Sequence, residues 1–229
     1  MKTIFNSKYL SKNWWNLNGP CKILHTLNKT RINYIKNKIS NDNKNILDIG
    51  CGGGILTEKL SIYKHKTIGL DSSKELIDTA INHNNNNNLN INYYVSDINQ
   101  IDKTNKIYKE KFDVLICMEV IEHIYNINSV INTCNFFLKS HGDLFISTLN
   151  KSIYTYLYMI LFGEYLTNSI PKKTHFYNNF IKPKELNKIL KNNNFYIKSI
   201  KGIKYNPFLN YSFISNDVNN NYIIHAKKI

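Results

Sequence analysis

Met118-Glu119-Val120-Ile121-Glu122-His123 carries the densest chemistry in the chain. It follows an apolar run, Phe112-Asp-Val-Leu-Ile-Cys117, that reads as a buried strand. If the segment turns helically, Glu119, Glu122 and His123 stand at i, i+3 and i+4 and share a face. Two carboxylates and an imidazole can hold a hard divalent cation such as Mg²⁺. They can also supply a base near neutral pH, with His123 or Glu122 taking the proton. The plainer alternative is that Glu122 and His123 only cap or tether the helix that follows. A second cluster is the turn Gly50-Cys-Gly-Gly-Gly54 after the apolar run Ile46–Ile49. Glycines there let backbone approach a ligand that a Cβ would keep away. The spacing is G-x-G-x-G, not the G-x-G-x-x-G of dinucleotide sites. The run Thr67-Ile-Gly-Leu then ends in Asp71, a carboxylate able to accept both hydroxyls of a ribose.

Two further residues fit around these. Arg31 is the one arginine among 30 basic residues. Its fork reads a carboxylate bidentately, which lysine does poorly, although it can also be one more surface cation. Met118 offers an apolar face to an adenine ring, or simply fills the core. Ser96-Asp97, after the run Ile91–Val95, is placed to meet the adenine amine.

These residues need a scaffold that gathers strand ends at one edge. Strands at Ile46–Ile49, Thr67–Leu70, Ile91–Val95, Phe112–Cys117 and Asp143–Thr148 alternate with helices near Leu56–Ser61, Ser73–Asn82 and Val130–Leu138. Lys139-Ser-His-Gly142 reads as a glycine C-cap, and His83–Asn88 as a solvated, low-complexity loop. Such βα alternation predicts an α/β, Rossmann-like, doubly wound and mostly parallel sheet. Right-handed crossovers put every carboxyl end on one edge. Residues 13–39 predict an N-terminal helical cap, through the helical recurrence of Ile23, Leu24, Leu27, Ile32 and Ile35. The tail adds a helix over Pro183–Leu190 and strands near Tyr196–Ile200 and Tyr222–His225, with Tyr205-Asn-Pro-Phe208 as the turn between them and an antiparallel edge.

The length of 229 residues suits a single domain, here expected over 13–229, with 1–12 a short targeting or disordered segment. The net charge of +14 admits nucleic acid or an anionic membrane as partner. Lysine is spread along the whole chain, and no basic stripe with interleaved aromatics is present, so nucleic acid is not expected. The four cysteines form no C-x-x-C pair, which suits a reducing compartment without a zinc knuckle or disulfide frame. Ser152–Leu166 is rich in Tyr and apolar residues. Its apolar part, 153–166, would span roughly 21 Å as a helix, short of the roughly 30 Å hydrocarbon core. Its tyrosines suit a membrane interface, with Lys172 and Lys173 toward lipid phosphates; a buried helix bridging cap and core is the other reading.

Taken together, Trp14-Trp-Asn-Leu-Asn-Gly-Pro20, Leu47-Asp-Ile-Gly-Cys-Gly-Gly-Gly-Ile-Leu56, Gly69-Leu-Asp71, Met118-Glu-Val-Ile-Glu-His123, Pro171-Lys-Lys-Thr-His175 and Tyr205-Asn-Pro-Phe208 resemble the ubiquinone biosynthesis O-methyltransferases. These are class I methyltransferases that use S-adenosylmethionine (SAM) on polyprenylated catechols. The glycine motif is common to many methyltransferases; the Trp-Trp, Pro-Lys-x-Thr-His and Tyr-Asn-Pro segments are specific. The resemblance implies SAM contacts from Arg31, Gly50, Asp71 and Met118, and Mg²⁺ on Glu119, Glu122 and His123. It also implies a polyprenyl catechol or demethylubiquinol substrate, membrane contact through residues 152–169, membership of a multi-subunit coenzyme Q assembly, and, in a eukaryote, the matrix side of the mitochondrial inner membrane. Two departures stand out. Asn28-Lys-Thr-Arg31 lacks the family's proline, and Lys173 replaces its glycine. An RNA or protein methyltransferase, or a non-catalytic subunit of a quinone-synthesis complex, are the competing expectations.

Overall fold

The computed structural model describes residues 7–40, 43–98, 101, 109–155 and 179–229. Helix α1 spans Ser7–Asn13 and α2 Lys22–Lys36. Then come β1 (Asn45–Ile49), α3 (Ile55–Ile62), β2 (Lys66–Asp71), α4 (Lys74–Asn86), β3 (Asn92–Val95), β4 (Phe112–Met118), a 3₁₀ turn at Ile121–His123, α5 (Ile127–Phe137), β5 (Leu138–Leu149) and the short α6 (Ile153–Thr155). The chain closes with α7 (Pro183–Asn192), β6 (Phe195–Asn206), β7 (Tyr211–Ser215) and β8 (Asn221–Lys228).

The strands form one sheet in the order β3-β2-β1-β4-β5-β8-β6-β7. The first five strands are parallel; β8 inserts antiparallel between β5 and β6, and β7 pairs antiparallel outside β6. Strands buried on both faces need continuous apolar runs, which is why β1 and β4 read as they do. Alternate residues serve the two faces. Leu47, Leu115, Ile146 and Tyr222 pack with Val130, Cys134 and Leu186 of α5 and α7. Ile46, Val114, Phe145 and Ile223 pack with Ile32, Ile35 and Leu60 of α2 and α3. Local signals start the helices: Ser73 Oγ accepts from the Leu76 N–H (3.3 Å) and Asn126 Oδ1 from the Ser129 N–H (3.0 Å).

Three expectations change, and α1 is placed at the start of the chain. His83–Asn86 is helical, because α4 continues through the asparagines. Asn84 is buried beneath it, and the Asn87 N–H caps by bonding the His83 and Asn84 carbonyls. Gly142 is no C-cap: α5 ends at Phe137 and β5 starts at once, with Gly142 inside the strand. The tail holds a strand not anticipated, β7, so Tyr205–Phe208 leads into a β6–β7 hairpin and not into β8. Residues 7–12 belong to α1, whose Leu10 is buried against the fold. The Ser152–Leu166 helix beyond Thr155, Lys172 and Lys173, and the Pro171–His175 segment lie outside the described residues. Among the described residues no helix is long and apolar enough to cross a membrane.

Candidate active site

The carboxyl ends of β1, β2 and β4 meet at one edge, and the site is built there. The turn after β1 is tied to β2, because the Gly50 and Cys51 N–H groups both donate to the Leu70 carbonyl (2.7 and 3.0 Å). Gly50 has φ +72, and a Cβ on it would stand 2.2 Å from Val120 Cγ2. Only glycine satisfies both demands. The Trp14 indole lies flat on the same turn, so that a Cβ on Gly53 would come within 2.4 Å of its ring. Asp71 closes the turn from the other side. Its Oδ2 accepts the Gly52 N–H (2.9 Å) and its Oδ1 the Ser73 N–H (2.8 Å). Partial burial raises its pKa in spite of these bonds.

Glu119 follows β4 directly, and its φ of +56 breaks the helical phase that the sequence suggests. The backbone turns its carboxylate inward. Glu119 Oε1 accepts from Arg31 Nη2 (2.6 Å), Ser147 Oγ (2.8 Å) and Asn221 Nδ2 (2.8 Å). Arg31, only 1% exposed, also donates from Nη1 to Asn28 Oδ1 (3.2 Å), while its Nε–H has no partner among the described residues. Burial pushes the Glu119 carboxyl up, but the Arg31 charge and the Asn221 and Ser147 hydrogen bonds outweigh it and hold it below the ordinary carboxylate range. Glu122 goes the other way. It is buried beside Glu119, and burial and the Glu119 charge drive its pKa well up. Thr148 Oγ1 donates to its Oε2 (2.8 Å), and its carboxyl also hydrogen-bonds that of Glu119. His123, at the end of the 3₁₀ turn, is exposed at the rim.

The expected metal face therefore does not form in this arrangement. Glu119, Glu122 and His123 do not share a helical face, Glu119 is engaged by a guanidinium, and His123 lies at the rim. Among the described residues no group of three His, Cys, Asp or Glu side chains converges on a cation position. The donor types suit Mg²⁺, but their placement does not fit it. The remaining expected residues are placed as follows. Arg31 stands at the site, with the Glu119 carboxylate on its Nη2. Met118 ends β4 and is buried in the apolar cluster of Ile32, Ile35 and Leu56. Asp97 follows β3, just beyond Ser96, whose N–H bonds the Asp71 carbonyl (2.9 Å).

Sequence reasoning missed Asp48. It lies under the glycine turn, 2% exposed, and accepts a 2.6 Å hydrogen bond from Thr57 Oγ1. Burial pushes its carboxyl up to about 7. An acid inside an otherwise apolar strand was the available signal. Asn221 and Ser147 were also missed as partners of Glu119; they come from β8 and β5, and only the sheet order brings them together.

A family profile described as a methyltransferase domain matches residues 21–200. The chain is 40% identical over 214 residues to the ubiquinone biosynthesis O-methyltransferase of Coxiella burnetii, covering 93% of this chain and 90% of that one. It is 38% identical over 224 residues to the protein of that name from Rickettsia prowazekii, covering 96% and 87%. Among solved structures, magnesium protoporphyrin IX methyltransferase from Synechocystis, with bound SAH, aligns with a TM-score of 0.68 at 16% identity over 98% of each chain. That likeness carries the fold alone. With matches of this extent, the chain belongs to the ubiquinone biosynthesis O-methyltransferase family and is a SAM-dependent methyltransferase.

Proposed function

We propose that this enzyme moves the methyl group of SAM to a phenolic oxygen of a polyprenylated catechol or demethylubiquinol. The observation that carries the reading is one sheet edge holding both Asp71 with the glycine turn and the Arg31–Glu119–Glu122 group. The relatives' names supply the acceptor class. SAM brings an electrophilic methyl, so the chain must position the phenol and remove its proton. A phenol of pKa near 10 is about one part in a thousand ionised at pH 7, a deficit of roughly 4 kcal/mol. His123, exposed at the rim, is the base we assign. Glu122, whose raised pKa favours the protonated acid, hydrogen-bonds Glu119, and Glu119, fixed by Arg31, supplies a negative charge that steadies the imidazolium that forms.

Incubation of the purified protein with SAM and a short-tailed prenyl catechol tests this, with mass spectrometry for a product one CH₂ heavier. His123→Ala should lower kcat at least tenfold with SAM affinity unchanged. Methylated product at parental rate from that variant overturns the base assignment. No product with SAM bound overturns the acceptor. Activity lost in EDTA and restored by Mg²⁺ would return Glu119, Glu122 and His123 to a ligand role, and would require Glu119 to leave Arg31. The same proposal places the enzyme against a membrane holding prenylated quinones, within a multi-subunit assembly. The relatives named are bacterial; the matrix face of a mitochondrial inner membrane is the eukaryotic form of that placement. Native mass measurement of the tagged protein drawn from such a membrane tests the assembly.

A further inference from the structure

The β6–β7 hairpin stands beyond the ligand edge of the sheet. β6 is antiparallel to β8, and β8 is antiparallel to β5, so β6 runs with β5. Its last residues, Tyr205 and Asn206, therefore emerge where β1, β2 and β4 end. The tip that follows is apolar and bare: Phe208 is 95% exposed, Leu209 74% and Tyr211 57%. It is also fixed. Asn206 Oδ1 accepts the N–H groups of Phe208 (3.0 Å) and Leu209 (3.2 Å). Asn210 Oδ1 accepts from Tyr205 Oη (3.2 Å) and from Thr26 Oγ1 of α2 (2.9 Å). Thr30 Oγ1 then donates to the Ser212 carbonyl (2.8 Å), one residue from Arg31. The hairpin is thus pinned to the helix that carries the site's arginine.

A rigid turn has no folding need for a phenylalanine and a leucine in water, so the tip meets something. Its size and the charge around it say what. Three side chains offer far less than the roughly 800 Å² per partner of a stable protein interface. Shallow insertion into lipid needs only a few apolar side chains with cations beside them. The cations are present: Lys22 and Lys29 are exposed on α2, at i−4 and i+3 from Thr26, so they share the flank that holds the hairpin. The chain as a whole carries +14.

We propose that the Phe208–Leu209 tip is a lipid-inserting lip beside the active site, seated on anionic headgroups by Lys22 and Lys29. It is separate from the residue 152–169 segment. The lipid contact stands on the hairpin itself; its use in presenting a membrane-held substrate rests on the function proposed above.

The test is co-sedimentation of the full chain with phosphatidylcholine vesicles, with and without phosphatidylglycerol. Phe208→Ser with Leu209→Ser should weaken vesicle binding roughly thirtyfold, from the apolar area withdrawn. Lys22→Gln with Lys29→Gln should weaken binding to anionic vesicles by roughly an order of magnitude or more, and to neutral ones hardly at all. SAM affinity and melting temperature should stay at parental values in both. Phe208→Trp should shift its emission to the blue on adding vesicles. Parental vesicle affinity in the serine variant, or no shift from Phe208→Trp, overturns the proposal. If vesicle binding falls as stated while the parent protein, with SAM bound, methylates no catechol, the functional reading fails and the lipid contact stands.

Discussion

Arg31 and Glu119 hold the site together through an ion pair buried on the arginine side and part-buried on the other, and the consequence of such a pair is asymmetric. Removing one partner strands a charge, whereas removing both is far milder. Arg31→Met should therefore cost about 3 kcal/mol, the low end of the roughly 3–5 expected, because Ser147 and Asn221 still donate to Glu119. Adding Glu119→Gln should recover about half of it. Urea titrations of the single and double variants measure this, and a double variant no better than Arg31→Met alone would refute it. Asp48 gives a pH signature. Its native pKa, about 7, lies above the ordinary value of 3.8. Between those values the folded state holds a proton that the unfolded state has lost. Stability from this group is thus intact below about pH 4 and falls as pH rises toward 7. At about 1.4 kcal/mol per unit the penalty has an upper bound of roughly 4 kcal/mol at pH 8. Asp48→Asn should accordingly gain stability over the parent at pH 8 and lose that advantage at pH 4, read from thermal melts at both. Equal differences at the two pH values would exclude the shift. Arg31, Glu119 and Asp71 were visible in the sequence because their residue types are rare or end strands. The Arg31–Glu119 pairing was not visible, since it depends on a left-handed Glu119 that no residue type announces.

Helix α1 and the Trp14-Trp15 segment are held to the core by α4, and α4 is the element whose composition misleads most. Asparagine is a weak helix former, so His83–Asn88 looks like loop. Tertiary contacts reverse that. The His83 ring stacks on Trp15 with centroids 3.5 Å apart and 3° between planes, and its Nδ1 sits 2.8 Å from Glu58 Oε2. His83 thus joins the cap, α4 and α3 in one place. The Trp14-Trp15 pair then divides its work: Trp14 covers the glycine turn, and Trp15 grips α4. His83→Ala should cost about 1–2 kcal/mol through the lost stack and hydrogen bond. Amides of α1 should exchange at least tenfold faster, while those of β4 and β5 keep their protection. Uniform loss of protection across the sheet would mean that His83 supports the whole fold and not the cap. The β-strand elements were legible because fully buried parallel strands must be apolar throughout. Their ends were less so: Lys139–Gly142 carries cap-like residues, yet β5 pairs with β4 through a register shift between Phe112 and Val114 that absorbs them.

At the scale of the whole molecule, the last strand completes both the sheet and the site. β8 is paired on both sides, with β5 from Asp143↔Lys227 to Leu149↔Asn221 and with β6 from Phe195↔Lys228 to Gly202↔Tyr222. Tyr222, Ile223, Ile224 and Ala226 have no exposed surface. Without β8, two neighbouring strands would bare their edges, and β6 with β7 would lose their strand pairing to the parallel half, keeping only what α2 provides. Asn221, the first residue of β8, also donates to Glu119, more than a hundred residues earlier in the chain. This is why sequence reading found the parallel half and its glycine turn, which are local βα patterns, yet did not pair Asn221 with Glu119, a contact made only through strand insertion. Two changes separate these roles. A chain ended after Asn220 should fail to fold cooperatively, with its near-ultraviolet dichroism and its sigmoidal melt lost. Asn221→Ala should keep the melt within about 1–2 kcal/mol of the parent, the value of one hydrogen bond. Its methyl transfer should nonetheless fall several-fold, because Glu119 loses one of three donors. A cooperative melt from the shortened chain would show that the parallel half stands alone, and that β8 contributes to the site without being needed for the fold.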